Sequence, residues 1–162
     1  MGKVFDCCFC LGKDWFRYRV GAIIVSDGYA LFSYGESCGY YYTVGGGVRI
    51  GEKSEDAVCR EVSEETGDSF VIERPLCLVE NFFDGDGALE GLDCHTIELY
   101  YLMKPKEKKE YDKVSLTTGG DSEKMRWIPI DKIDEYDIRP VVVKELIKNM
   151  PEEFKVIKND ER

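Results

Sequence analysis

The chain has 162 residues, 43% of them hydrophobic and 33% charged, with a formal net charge of −10. That length and balance suit one folded domain with one core. The acidic surplus argues against a polymeric DNA or RNA partner, which asks for a basic face. A small phosphate-bearing ligand stays compatible, because a bound divalent ion inverts the local field. No apolar run approaches the roughly 20 residues needed to span a bilayer. The opening residues MGKVFDCCFC lack a charged-then-apolar leader pattern. The expectation is a cytoplasmic protein with no membrane partner. Seven cysteines, an odd number scattered along the chain, read as reduced thiols rather than a disulfide framework. Cys7, Cys8 and Cys10 could form half of a zinc site, but no second cysteine or histidine pair completes a tetrahedron.

In chain order, residues 16–25 (FRYRVGAIIV) are β-branched and apolar, and Ser26-Asp27-Gly28 supplies turn chemistry behind them. Residues 29–34 return as a second strand, so the pair reads as a hairpin. Residues 40–44 (YYYTV) form a short aromatic strand leading into Gly45-Gly46-Gly47, where the main chain can approach a ligand closely. A helix is expected from Ser54, as its N-cap, to a stop at Gly67, with Ala57, Val58 and Val62 facing inward.

Residues 70–83 read as one or two strands interrupted at Pro75, followed by a polar turn over 84–93. Residues 94–103 (CHTIELYYLM) form a third long apolar run, central in a sheet. Residues 104–124 have no apolar period, which inside a compact domain marks a functional or disordered loop. A short strand over 125–130 (MRWIPI) ends at a proline, Asp131 caps a helical turn, and a last helix spans 140–149. The charged tail after Pro151 is expected to be peripheral, as are residues 1–15. Strands alternating with two or three helices predict an α/β fold, a mixed β-sheet covered on both faces as an α/β/α sandwich.

The chemistry concentrates in residues 46–67, GGVRIGEKSEDAVCREVSEETG. On a helix, Glu61, Glu64 and Glu65 share a face because residues three and four apart are neighbours. With Glu52 in the preceding loop, four carboxylates are expected to converge and to need a cation. Oxygen ligands of this kind suit Mg²⁺, with Mn²⁺ as a substitute, when substrate phosphates complete the shell. A solvated acidic helix is the bland alternative. The spacing Gly46, Glu52, Arg60-Glu61, Glu64-Glu65, Gly67 argues against it, since at average residue usage it would arise by chance roughly once in a million such chains.

This segment resembles the Nudix box, the signature of hydrolases that cleave nucleoside diphosphates linked to another moiety. One position departs from that pattern: an aliphatic residue is usual after the last glycine, and here it is Asp68. The resemblance implies a Nudix-type fold over the single domain 1–162, with Glu61, Glu64 and Glu65 holding the metal. It also implies that Arg60 orients the glutamates, through Glu64 or Glu52, and that the backbone of Gly46 and Gly47 shapes the loop. Glu52 would support that loop or enter the metal shell.

Nudix enzymes differ in their general base, and the candidates here are Glu64, Glu65, Asp121 and Glu123. His95 reads either as a hydrogen-bonded strand residue or as a catalytic one, with Glu98 on the opposite face. Tyr40, Tyr41, Phe82 and Phe83 could stack on a base or pack in the core. The expected partner is a small nucleotide or diphosphate, and the expected state a monomer or homodimer. A non-catalytic ligand-binding protein and a diphosphate isomerase are the competing functions.

Overall fold

The computed structural model describes residues 4–111, 114–116 and 122–162. The strands are β1 (Cys8–Leu11), β2 (Asp14–Ile23), β3 (Val25–Ser26), β4 (Tyr29–Gly35), β5 (Tyr41–Thr43) and β6 (Gly45–Gly47). After helix α1 (Ser54–Thr66) come β7 (Ile72–Asp84), β8 (Asp93–Met103), β9 (Val114–Leu116) and β10 (Ser122–Pro129). A 3-10 turn (Ile130–Glu135), helix α2 (Val142–Lys148) and β11 (Lys155–Asp160) complete the chain.

The strands form two sheets. One has six strands in the order β1-β2-β8-β7-β11, with β6 also on β2; the other has five, β3-β4-β10-β9, with β5 on β4. The first sheet is mixed, since β2 lies parallel to β8 while β7 runs antiparallel to it. Alternate side chains of a strand face opposite ways, and β2 uses this to serve two hydrophobic clusters. Val20 and Ala22 pack with Ala57, Val58 and Val62 of α1. Ile23 packs with Val143, Leu146 and Ile147 of α2. The expected single core is therefore divided in two, because the sheets lie between the helices. Fully burying one such aliphatic side chain is worth about 1.5–3 kcal/mol.

The hairpin expected between residues 16–25 and 29–34 is only partly present. The turn forms, with Asp27 at φ +50°, but only Val25 and Ser26 pair with β4, while β2 joins the other sheet. A turn signal fixes where the chain reverses, not which neighbour the longer strand takes. Pro75 does not divide β7, which runs through with register irregularities at Ile72/Arg74 and Pro75/Cys77. The charged tail forms β11, which pairs in parallel with Cys77–Phe82 of β7. Its Lys155 and Lys158 are exposed and Ile157 packs on the second cluster, a composition typical of a wet edge strand.

Candidate active site

Helix α1 is placed by its apolar stripe and its ends. Lys53, not Ser54, is the N-cap, with no side-chain capping bond. Ser54 lies inside the first turn, its hydroxyl 2.7 Å from that of Tyr101 on β8. Gly67 closes the helix at φ +74° and donates its N–H to Ser63. The unusual Asp68 then meets Lys106 at 2.8 Å and Lys109 at 3.1 Å. These lysines hold its carboxyl down, at about 2, and tie the segment after β8 to the end of the box helix.

The four carboxylates do not converge on one empty point. Arg60 stands among three of them. Its Nε and Nη2 reach the two oxygens of Glu52 at 2.7 and 2.9 Å. Its Nη1 donates to Glu61 at 2.6 Å and Glu64 at 3.3 Å, and Nη2 also donates to the carbonyl of Gly47 at 3.1 Å. This planar fork is the cation that the cluster needs when no other is bound. Glu52 also accepts the backbone N–H of Arg49 at 3.0 Å; the bond from Arg60 depresses its pKa most, so it acts as the loop's anchor. Glu61 lies against Gly46, where a Cβ would fall 2.5 Å from the Glu61 carboxyl carbon. Burial raises the pKa of Glu61 although Arg60 opposes the shift.

Glu65 points elsewhere. It is only 6% exposed, and it accepts the Ser33 hydroxyl at 2.7 Å and the Gly45 N–H at 3.0 Å. Burial pushes its pKa up to about 8, the Ser33 bond opposes the shift, and the charge of Glu123 adds to it. Glu123 itself is buried on β10 and accepts the Tyr42 hydroxyl at 2.5 Å. Strand registers produce this meeting: Tyr42 and Met125 both pair with Ser33, and Glu123 pairs with Gly35. Side chains opposite one another share a face, so Ser33, Tyr42 and Glu123 point the same way. Gly35 leaves room for Cys38 and the tyrosine, since a Cβ there would lie 2.5 Å from the Cys38 sulfur and 3.2 Å from the Tyr42 hydroxyl.

The structure thus brings the expected Glu123 beside Glu65, whereas Asp121 lies outside the described residues. Sequence reasoning missed Ser33 and Tyr42, and also the buried Arg19. Their signal was polar residues inside strands whose neighbours are apolar.

The other candidates fall outside this cluster. His95 stacks on Phe82 with ring centroids 4.4 Å apart. Among the described residues its buried Nε2 has no hydrogen-bond partner, unlike the bonded strand residue expected. Tyr41 packs on Tyr34 and Tyr136. Tyr40 lies under the Arg139 guanidinium, 4.4 Å from its ring centroid, and Arg139 meets Asp86 at 2.6 Å. Cys59 donates to the carbonyl of Phe70 and packs against the first cluster.

Among the described residues, no group of three or more His, Cys, Asp or Glu is arranged to hold a metal ion. The reason is on α1: Arg60 occupies Glu61 and Glu64, and Glu65 turns to Ser33 and Gly45. The donor chemistry nevertheless fits a hard divalent cation. Two carboxylates already share one cationic nitrogen, and burial lifts the pKa of Glu61 and Glu65, a strain that a cation relieves.

The family profile of the NUDIX domain matches residues 15–149. The chain belongs to the NUDIX family and is a Nudix hydrolase. Solved structures agree in fold. The MutT protein from Methanosarcina mazei Go1 is 21% identical over 86% of this chain and 94% of that one, with a TM-score of 0.62. The MutT protein from Bacillus halodurans is 15% identical over 90% and 91%, at 0.59. A NUDIX hydrolase from Nitrosomonas europaea is 23% identical over 82% and 86%, at 0.56. No curated protein matches the chain.

Proposed function

We propose that the chain is a divalent-metal-dependent hydrolase that cleaves a phosphoanhydride in a nucleoside diphosphate linked to another moiety. The observation that carries this reading is the placement of Glu61, Glu64 and Glu65 on one helix, two around a shared cationic nitrogen and one buried with a raised pKa. Mg²⁺, with Mn²⁺ as substitute, would be held by these three residues, and when bound it would screen the phosphate oxygens and acidify water.

The chain's own groups do the rest. Arg60 keeps Glu61 and Glu64 together and ties them to the Gly47 carbonyl. Glu65, at about 8, can take a proton near neutral pH. Glu123 and the Tyr42 hydroxyl form the wall opposite it. Similar folds include an ADP-ribose pyrophosphatase from Streptococcus suis and a UDP-X diphosphatase, which supports a small nucleotide-linked diphosphate as the substrate class. The cysteines are all free, which suits a reducing cytoplasm. Among the described residues no helix is long and apolar enough to cross a membrane. The isomerase alternative needs a cysteine in the site; Cys59 is turned into the core, and Cys38, near Tyr42, is the residue on which that alternative would rest.

The test is a panel of nucleoside triphosphates, ADP-ribose, nucleotide sugars, dinucleoside polyphosphates and coenzyme A, with and without Mg²⁺, the phosphate products being identified. Turnover of at least one should require the metal, and Mg²⁺ at about 100 times its dissociation constant should add about 2.7 kcal/mol of stability. Full activity in chelator would exclude the mechanism. On the best substrate, Glu123→Gln should lower kcat about a hundredfold, within the range of proton-transfer groups, and change Mn²⁺ affinity less. An equal loss in both would make Glu123 a metal ligand rather than a group that assists Glu65 in proton transfer.

A further inference from the structure

Arg19 is the buried cation that the proposed chemistry leaves unused. It sits on β2, opposite Gly47 of β6 and in register with Glu98 of β8. Its side chain is 13% exposed and that of Glu98 5%. An ion pair this deep is costly unless other partners offset the desolvation, and Glu98 has three. Glu98 accepts Asn81 at 3.0 Å, Thr96 at 2.7 Å and Tyr100 at 2.5 Å, and meets Arg19 at 3.7 Å. The guanidinium also grips Thr43: Nη2 donates to its carbonyl at 2.7 Å, and Nη1, the nitrogen that faces Glu98, donates to its hydroxyl at 3.1 Å.

Thr43 ends β5, two residues before Gly45, whose N–H is bonded to Glu65. Gly46 then lies under Glu61, and Gly47 gives its carbonyl to Arg60. Each of the three glycines is therefore set against a separate group of the site, and none has a side chain with which to hold its own place. The approach is made possible by Gly21, where a Cβ would fall 2.6 Å from Tyr100 and 2.8 Å from the Thr43 hydroxyl. Burial raises the pKa of the Glu65 carboxyl, and the positive charge of Arg19 opposes that rise.

We infer that Arg19 is a positioning residue: anchored by Glu98, it grips Thr43 and so sets the Gly45–Gly47 strand at the height the site glutamates require. Its metal readout rests on the proposed function; its structural readout does not. The experiment uses the full chain with Arg19→Lys, Arg19→Gln, the double variant Arg19→Gln with Glu98→Gln, and Thr43→Val. Arg19→Gln alone leaves Glu98 buried without its cation; the double variant removes both charges together, and Thr43→Val keeps the pair and loses only the hydroxyl contact.

In chelator, amide exchange at Gly45 should be about tenfold faster in the double variant, the size expected of one weakened buried hydrogen bond, while amides of β7 and β8 keep their protection. Thr43→Val should show a smaller change at the same residue. With Mn²⁺, titrated by its paramagnetic effect, affinity should fall about tenfold in the double variant, and Arg19→Lys should restore part of it, since one ammonium cannot make both contacts to Thr43. Gly45 protection equal to the parent in the folded double variant or in Thr43→Val would overturn the inference. Parent protein that shows Gly45 protection but binds no Mn²⁺ would count against the metal reading alone.

Discussion

Glu65→Gln should lower turnover by about three orders of magnitude, the scale of a lost general base, and yet make the metal-free protein more stable at alkaline pH. The folded carboxyl titrates at about 8 because it is buried; in the unfolded chain it titrates near 4.3. A raised carboxyl pKa means that the fold prefers the neutral form. Its contribution is fully present below about pH 4 and is lost as the pH climbs from there through 8, after which the cost is constant. One unit is worth about 1.4 kcal/mol, so the window spans several kcal/mol as an order of magnitude. Glutamine stays neutral, can still accept from Gly45, and can donate to Ser33. Melting curves of both proteins in chelator from pH 5 to 9 should therefore diverge, the parent falling relative to the variant. Parallel curves would show that Glu65 is not buried as a neutral acid.

Removing Arg60 should have the next largest effect, on the structure of the site itself. The guanidinium serves Glu52, Glu61, Glu64 and the Gly47 carbonyl at once. Arg60→Ala leaves three carboxylates facing one another. Cutting one member from a buried pair costs about 3–5 kcal/mol, and the half-exposed Glu64 brings the expectation here to about 2–3 kcal/mol. Urea unfolding in chelator measures this. Saturating Mg²⁺ should recover part of the loss, since it supplies the missing positive charge. Arg60→Lys should rescue less than half of the lost stability, because a single ammonium cannot bridge Glu52 in a fork and reach Glu61 together. Complete rescue by lysine would show that charge alone suffices.

The box was legible because its chemistry is local. Residues three and four apart on a helix face the same way, so Glu61, Glu64 and Glu65 could be placed without any knowledge of the sheets. What was read incorrectly is their direction. Val58, Val62 and Glu65 are spaced as one inward stripe, and that spacing already put Glu65 at the buried edge of the face it shares with Glu61. Taking the glutamates as one group hid it. Ser33, Tyr42 and Arg19 were not legible for a different reason. Their roles depend on pairings between strands tens of residues apart, such as Tyr42 with Ser33 and Arg19 with Glu98. A strand's own pattern tells which face is polar, not which helix that face will meet. The same limit explains the misjudged hairpin, where the turn at Asp27 was evident and the departure of β2 to the other sheet was not. Glu123 was reached from sequence only as a loop residue before Trp127; its seat on β10 beside Glu65 required the register with Gly35.

The last strand sets the order in which the molecule can be completed. Asn159 of β11 bonds to Asn81 of β7, 78 residues earlier, and the pairing between those strands is parallel throughout. Such a contact cannot nucleate folding, because a long loop must close before any of it is gained. β8 covers one side of β7 and β11 the other, so the second edge of β7 would stay open until residue 160 is available to pair. The nascent chain carries an exposed strand edge, the kind of surface on which partly folded proteins associate. In refolding, the closure of β11 should be the late event, and yield at high protein concentration should depend on how quickly that edge is taken up.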